Sequence, residues 1–153
     1  MKVCGIDENG RGCIIGPLVI TAFIIDKDKI EELKKLGVND SKKLSKSKRE
    51  ELAEILKNLG EFRQKIISAS EINYLMKKKK INLNEIELMK IAELINEIDA
   101  DEFYIDAFSS PQKFLEKLKK FIKKDKKIIA DNKMDEKNLV VAAASIIGKV
   151  TRD

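Results

Sequence analysis

Acidic residues stand at the ends of three apolar segments whose composition is typical of β-strands. Asp7-Glu8 closes the first segment, Asp106 closes a later one, and Asp131 and Asp135 follow the last, just before a helix. Because strand ends at one edge of a sheet converge, acids far apart in the chain can meet there. Such a cluster offers the oxygen ligands that hard divalent cations such as Mg²⁺ and Mn²⁺ prefer.

Two such ions about 4 Å apart would suit phosphodiester hydrolysis, with one ion activating a water and the other stabilising the leaving oxygen. Taken singly, each acid is better explained as a helix cap or as a salt-bridge partner of the many lysines. The tandem Asp7-Glu8 raises a separate difficulty, because neighbouring residues of a strand face opposite ways. Both reach one site only if the strand twists or ends there, which the glycines that follow permit.

Composition excludes several other chemistries. The 153-residue chain has no histidine, so a histidine base, a histidine zinc ligand and a Ser-His-Asp relay are all excluded. Its two cysteines, Cys4 and Cys13, are too few and wrongly spaced for a zinc knuckle or a disulfide framework, and we expect buried free thiols. Tryptophan is absent and aromatic residues make up 5%, so a base-stacking platform is not expected.

The charge balance is compatible with a polyanionic partner without requiring one. Lys and Arg number 31 against 26 Asp and Glu, a net charge of +5. A Lys/Glu-rich composition is also typical of a heat-adapted surface, and the lysine run at 77–80 is better explained as a solvated helix end. We find no apolar run of about 18 residues and no export signal, which predicts a cytoplasmic protein without membrane association.

The pattern of apolar residues predicts an α/β domain with a mixed central sheet flanked by helices. A turn at 9–12 should join the first two strands into an antiparallel hairpin, and Asp40-Ser41 should lie in a loop. Strands are predicted at 2–8, 13–25 (kinked at Gly16-Pro17), 62–68, 102–106 and 127–130. Helices are predicted from Ser45 or Ser47 to about 58, from Ser70 to the lysine run, at 84–98, from Pro111 and at 140–150.

Gly10-Arg11-Gly12 places one guanidinium between two flexible residues. Glycines let the backbone approach a ligand closely, and their N–H groups can bind it. Alone, the triplet is a weak signal for a binding site, because a hairpin turn also explains it.

Together these segments resemble ribonuclease HII, the type 2 ribonuclease H family, and its archaeal branch in particular. The matching segments occur in the family's order across essentially the whole chain. They are GIDENGRG at 5–12 with IGPLV at 15–19, DSKKLS at 40–45, YID at 104–106, and KMDEK at 133–137 running into VVAAASIIGKVTRD at 140–153.

The resemblance implies a ribonuclease H-like fold and a single catalytic domain over residues 1–153, without the family's C-terminal extension. It implies an endonuclease that uses two divalent ions, Mg²⁺ or Mn²⁺, and leaves a 3′-OH and a 5′-phosphate. The implied substrates are the RNA strand of RNA/DNA hybrids and ribonucleotides embedded in duplex DNA. A monomer is expected, with self-association as the alternative.

The resemblance also assigns roles to individual residues. The catalytic, metal-holding acids map to Asp7, Glu8, Asp106 and Asp135, where Asp135 is preferred over Asp131 because it keeps the family's spacing to Val140-Val141. The residues that contact the ribonucleotide and read its 2′-OH map to Gly10, Arg11 and Gly12. Those that support the phosphates map to Lys42, Lys43 and Lys149, with Ser145 nearby.

Some positions depart from the family's pattern. Alanine is usual at the positions of Asn9 and Gly148, proline at Cys13, and Tyr-Pro at Asn138-Leu139. The family's junction-stacking tyrosine matches neither Tyr74 nor Tyr104. Two alternatives therefore stay open: a hybrid-binding module that cuts weakly or not at all, and a structural protein whose acids are only caps and ion pairs.

Overall fold

The computed structural model describes residues 1–10 and 16–153, apart from the side chain of Ser41. Predictions that fall on Arg11, Gly12, Cys13 and residues 14–15 therefore lie outside the described residues. Within the described part, no helix is both long and apolar enough to span a membrane.

The described residues form five strands and seven α-helices. The strands are β1 (Lys2–Asn9), β2 (Leu18–Asp26), β3 (Glu61–Ile67), β4 (Glu102–Asp106) and β5 (Lys127–Asp131). The helices are α1 (Ile30–Leu36), α2 (Lys46–Leu59), α3 (Ala69–Lys78), α4 (Leu83–Glu97), α5 (Pro111–Lys119), α6 (Met134–Lys137) and α7 (Leu139–Arg152). Two 3₁₀ segments, Lys27–Lys29 and Val38–Lys43, flank α1.

The strands form one mixed sheet in the order β3-β2-β1-β4-β5. β1 and β2 pair antiparallel, as the hairpin prediction requires, whereas β4 runs parallel to β1 and β5 runs parallel to β4. Ile6 lies opposite Ile105 in the parallel register. The residues that follow, Asp7 and Asp106, therefore lie side by side near the C-terminal ends of β1 and β4.

Helices cover both faces of this sheet, because β1, β2 and β4 carry apolar residues on both sides. On one face, Cys4 and Ile6 pack with α4 and α5 in a buried cluster that includes Ile91 and Phe114. On the other face, Val3 packs with α1, α2 and α7. The strand alternation then places Asp7 under α7 and Glu8 on the face of α4.

Helix α7 lies unusually close to β1. A Cβ on Gly5 would stand 2.5 Å from the carbonyl carbon of Val140 and from the amide nitrogen of Val141, so only glycine fits there. Asn138 fixes the start of the helix, since its Oδ1 accepts hydrogen bonds from the backbone N–H groups of Val140 and Val141 at 2.9 and 3.1 Å. The helix is thereby held in one register over the strand that carries Asp7.

Several boundaries differ from the sequence-based expectation. Ser68 caps α3 instead of Ser70, because its Oγ accepts from the N–H of Glu71 and directly follows the end of β3. Asp40 lies in a 3₁₀ segment with non-helical torsions at its own position, where a loop was predicted. Helices α1 and α6 were not predicted; they are short, and burial of Leu33 and Met134 stabilises them more than local pattern does.

Two departures from the family pattern meet in space. A Cβ on Gly148 would lie 2.1 Å from Oδ1 of Asn9 and 2.9 Å from Oγ1 of Thr21. Asn9 is larger than the usual alanine, and Gly148 is smaller than the usual alanine. The smaller residue on α7 thus makes room for the larger one on β1.

The first prediction tests this compensation. Gly148→Ala should lower the free energy of unfolding by about 1–3 kcal/mol, because the added methyl group overpacks against Asn9. The double variant Asn9→Ala/Gly148→Ala should recover most of that loss. Denaturant unfolding of the two single variants and the double variant, treated as a double-mutant cycle, measures the coupling. Equal cost of Gly148→Ala with and without Asn9 would contradict the interpretation.

Candidate active site

Asp7 and Asp106 form a carboxyl pair at one edge of the sheet, where Asp7 lies two residues before the end of β1 and Asp106 ends β4. Asp7 is only 5% exposed, and Asp106 is half-buried. The two carboxyl groups lie close enough for each to shift the pKa of the other.

Burial sets the ionisation of this pair. Burial raises the pKa of Asp7 well above its usual range, and the neighbouring charge of Asp106 adds to that rise, while a hydrogen bond from Ser145 opposes it. Burial also raises the pKa of Asp106. The backbone N–H of Met134 donates to Oδ1 of Asp106 at 2.8 Å and partly offsets that effect. Burial therefore acts more strongly on the carboxyl group of Asp7 than on that of Asp106.

Asp135 is the third acid of this group. It lies in the first turn of α6, and the preceding Lys133 adopts a left-handed backbone with φ of 53°. The charge of Asp135 raises the pKa of both Asp7 and Asp106. Three acids separated by up to 128 positions in the chain therefore act on one another electrostatically at one edge of the sheet.

Glu8 is the fourth predicted acid and directly follows Asp7 on β1. It is half-buried and, by strand alternation, shares the face of Cys4 and Ile6 and not that of Asp7. Across residues 1–10 and 16–153, no group of three or more Asp, Glu, Cys or His side chains is arranged to hold a metal ion. The assignment of Glu8 as a catalytic acid stays a prediction from the family resemblance.

Asp131 has a different environment from Asp135. Nζ of Lys137 donates to its Oδ2 at 2.8 Å, and the backbone N–H of Asn132 donates to its Oδ1 at 2.8 Å. Lys137 and Asn132 lower the pKa of Asp131. These are the contacts of a surface ion pair and a local cap, so the geometry favours Asp135 over Asp131 as a functional acid.

Lys42 reaches the same group of acids from the 3₁₀ segment. Its Nζ contacts Oε1 of Glu136 at 2.6 Å. The hydrogen bond to Glu136 and then the charge of Asp135 raise the pKa of Lys42, and Asp106 contributes a smaller effect. A cation therefore stands beside the carboxylates on the solvent side, where a phosphate could replace its contact with Glu136.

The other predicted contacts are spread around this edge. Ser145 is buried and hydrogen-bonded to Asp7, Lys149 is half-buried one turn further along α7, and Lys43 is exposed. Gly10 has a φ of 104°, a left-handed value that favours glycine. Arg11 and Gly12 lie outside the described residues, so their predicted role is not placed.

Sequence reasoning missed two side chains near the site. Glu136 holds Lys42, and Arg152 donates from Nε to the backbone oxygen of Pro17 at 2.9 Å. A signal was present for Arg152, because Ser145, Lys149 and Arg152 are spaced by four and three residues. That spacing places all three on one face of α7.

Known proteins resemble this chain over its whole length. The family profile described as Ribonuclease HII matches residues 4–153. Ribonuclease HII of Methanocaldococcus jannaschii is 48% identical over an alignment that covers 100% of this chain and 73% of that protein.

Solved structures agree with the sequence comparison. The ribonuclease H2 of Pyrococcus horikoshii OT3 has a TM-score of 0.90 at 39% identity, covering 100% of this chain and 72% of that one. A ribonuclease HII from Archaeoglobus fulgidus, solved in complex with PCNA, has a TM-score of 0.89 at 38% identity, covering 98% and 71%. The predicted ribonuclease H-like fold is confirmed by these similarities.

Proposed function

This chain belongs to the ribonuclease HII family, whose members are endonucleases acting on RNA in RNA/DNA hybrids. On that premise, we propose that residues 1–153 are one catalytic domain that uses two Mg²⁺ or Mn²⁺ ions for hydrolysis. It cleaves the RNA strand of hybrids and DNA duplexes at embedded ribonucleotides, leaving a 3′-OH and a 5′-phosphate. The observation that carries the proposal is the juxtaposition of Asp7 and Asp106 on the adjacent parallel strands β1 and β4, with Asp135 in α6 close enough to act on both.

The acids at this edge fit divalent cations by the chemistry of their donors. Carboxylate oxygens suit Mg²⁺ and Mn²⁺. Burial and neighbouring carboxylates raise the pKa of Asp7 and of Asp106, and a bound cation would oppose that effect by favouring the ionised forms. Asp7, Asp106, Asp135 and Glu8 would hold the ions. Bound ions would supply an activated water and a stabilised leaving oxygen.

The protein's own contribution is to orient these acids before the substrate arrives. Ser145 hydrogen-bonds Asp7, and the N–H of Met134 holds Asp106, so each carboxyl group is directed by a partner on a rigid element. Asp135 approaches from the first turn of α6. Fixed carboxylates of this kind lose little conformational freedom on binding the substrate and the ions.

The residues around the acids would position the nucleic acid. Lys42, Lys43 and Lys149 would contact phosphates, which orients a duplex without reading its sequence. The left-handed Gly10, followed in sequence by Arg11 and Gly12, would bring backbone N–H groups close to the sugar. The 2′-OH at that place is the group that separates RNA from DNA.

A module that only binds hybrids is the less favoured alternative. Burying Asp7 beside two other acids lowers stability, since desolvation and like charges both oppose ionisation. A binding surface needs no such arrangement, whereas a site for cations does. The similarity to curated ribonuclease HII proteins favours the enzyme in the same way.

A cleavage assay tests the proposal. One labelled duplex carries a single ribonucleotide in DNA, and a second is a continuous RNA/DNA hybrid. Each is incubated with Mg²⁺, with Mn²⁺ and with chelator. Cutting that depends on the cation, with products that a polymerase extends from their 3′ ends, is the expected result. A folded protein that cuts neither duplex with either ion would refute the proposal.

A second prediction separates Asp135 from its neighbour. Asp135→Asn should reduce kcat/KM by at least about 10²-fold, because it removes a charge that acts on both buried acids. Asp131→Asn is the matched control, with the same chemical change at a surface ion pair, and its activity should stay within about twofold of the unmodified protein. If Asp131→Asn were the more damaging change, the assignment of the third acid would be wrong.

A further inference from the structure

The positive charge of this chain is concentrated in one segment. Residues 113–127, the lysine segment, contain eight lysines and two acids and carry a net charge of +6, whereas the whole chain carries +5. The other 138 residues have 23 Lys or Arg against 24 Asp or Glu and are close to neutral. The lysine segment comprises most of α5 and the connection to β5, and α5 packs on the same face of the sheet as α4.

The lysines of this segment have few acidic partners, unlike lysines elsewhere on the surface. Lys35, Lys57 and Lys90 each pair with a glutamate three positions away, at 3.6–3.8 Å, as is typical of a heat-adapted surface. In the lysine segment, only Lys127 forms an ion pair with a residue of 1–10 or 16–153, at 3.6 Å from Glu102. An array of like charges without acidic partners attracts a polyanion, which neutralises several of them at once.

A groove beside the lysine segment adds an apolar surface to this charge. It lies between α4 and the end of α5 and has a volume of about 270 Å³. Lys117, Lys120 and Phe121 line it on the side of α5. The buried Leu88 lines it on the side of α4. The groove therefore combines an apolar lining with two cations.

The first turn of α4 contributes the rest of the lining. Asn82 caps this helix and lines the groove, and the exposed lysines at 77–80 stand just before it in the chain. Glu85 is the one acid among the described residues of the lining. Lysines therefore outnumber acids at this side of the groove as well.

Phe121 presents an exposed aromatic ring on a fixed backbone. It is 44% exposed, although Phe114 and Leu118 before it are buried. Its backbone N–H donates to the carbonyl oxygen of Leu118 at 3.0 Å, and its own carbonyl oxygen accepts from Nδ2 of Asn96 at 3.0 Å. A ring on an ordered backbone can stack on a flat partner with little loss of conformational freedom.

We propose that this groove, together with the lysine segment, binds single-stranded nucleic acid. One base stacks on the ring of Phe121, and neighbouring phosphates contact Lys113, Lys117 and Lys120, which follow one another at helical spacing. A duplex hides the faces of its bases, so only an unpaired strand can use the ring. An acidic peptide would fill the groove, but charge repeated over the whole lysine segment fits a polyanion of regular spacing better. The inference goes beyond the proposed function and does not depend on it, because none of these residues belongs to the group of acids.

The test titrates the protein against a fluorescein-labelled oligothymidylate of about 12 nucleotides, without divalent cation. Phe121→Ala should raise Kd about tenfold, because the stacking of one base is lost. The triple variant Lys113→Gln/Lys117→Gln/Lys120→Gln should reduce the slope of log K against log salt concentration by about 2. That is the change expected when a single strand loses three phosphate contacts.

Each variant has a matched control on the other face of the sheet. Phe62→Ala removes a similarly exposed ring from β3, where Phe62 lies opposite Phe23, which packs in the cluster with α2 and α7. Lys29→Gln/Lys34→Gln/Lys35→Gln removes three charges from α1 and the 3₁₀ segment before it. Both controls should leave Kd within about twofold at physiological salt, because charges more than about 10 Å from the bound strand are screened.

A cross-linking experiment keeps the test decisive if Phe121→Ala fails to fold. The unmodified protein is irradiated with an oligothymidylate in which 5-iododeoxyuridine replaces one thymidine, so that the base becomes joined to an aromatic ring in contact with it. After proteolysis, the peptide that contains Phe121 should carry the base, and the peptide that contains Phe62 should not.

Three outcomes would overturn the inference. An unchanged Kd in a folded Phe121→Ala protein, or a cross-link confined to other peptides, would exclude stacking in the groove. An equal change of slope in the two triple variants would reduce the effect to net charge. Displacement of the oligonucleotide by polyglutamate at the same concentration of charge would assign the groove to an acidic peptide. None of these measurements uses cleavage, so the proposed function is tested separately.

Discussion

Asp7→Asn should abolish cleavage and leave a folded protein that is at least as stable as the unmodified one. The carboxyl group is central to the coupled acids, so its loss should reduce kcat by roughly 10³-fold or more. Stability should not fall, because asparagine is nearly isosteric and carries no charge for burial and the neighbouring Asp106 to oppose, the two effects that raise the pKa of Asp7. Single-turnover cleavage and thermal unfolding on the same preparations measure both effects.

The control for this experiment is again Asp131→Asn, whose carboxylate lies at the end of β5 in a surface ion pair. It should retain both activity and melting temperature. Normal cleavage by a folded Asp7→Asn protein would remove Asp7 from the site and with it the central argument for catalysis. A strongly destabilised Asp7→Asn protein would show instead that the buried pair serves the fold.

The second large effect concerns the dependence of stability on pH and on divalent cations. Asp7 and Asp106 have raised pKa values in the folded protein, so the native state binds more protons than the unfolded state above pH of about 4. Stability of the cation-free protein should therefore decrease as the pH rises through that window. Asp131 and Glu136 have lowered pKa values, and the stability they add is lost only below pH of about 4.

A bound cation should reverse this decrease. At a concentration about 100 times its Kd, an ion that binds only the folded state adds about 2.7 kcal/mol. For a chain of this length, that corresponds to a rise of roughly 5–10 °C in Tm. Calorimetric scans between pH 5 and 8, with and without Mg²⁺ or Mn²⁺, would show the effect.

Asp7→Asn provides the comparison for these scans. It should flatten the pH profile and reduce the response to the cation, because the group with the strongly raised pKa is gone. A cation response that is equal in both proteins would place the ion elsewhere on the surface.

The sequence predicted those features that depend on local pattern and on the order of strands. The hairpin of β1 and β2 follows from two apolar runs around a glycine turn, and the meeting of Asp7 with Asp106 follows from parallel strands that end on acids. Helix α1 was missed because its formation depends on burying Leu33 against other elements. The contact of Arg152 with Pro17 joins residues 135 positions apart, and no local rule reaches that far.

The sequence alone does not show whether the adjacent acids Asp7 and Glu8 act together. They can serve one site or lie on opposite faces of the strand, and the packing of α4 and α7 on the two sides of the sheet shows which face each acid is on. The acids at 131 and 135 pose the same problem at the end of β5. Asp131 forms an ion pair with Lys137, six residues later, so Asp135 is the better candidate for the site.

Helix α7 fixes the distance between two of the side chains that it carries. Gly5 and Asn138 pin its start, and a helix rises about 1.5 Å per residue, so Ser145 and Arg152 stand roughly 10 Å apart along a rigid axis. One inserted residue between them would turn Arg152 by about 100° and break its hydrogen bond to Pro17. The number of residues between Ser145, which supports Asp7, and Arg152, which holds Pro17, is therefore constrained by two separate contacts.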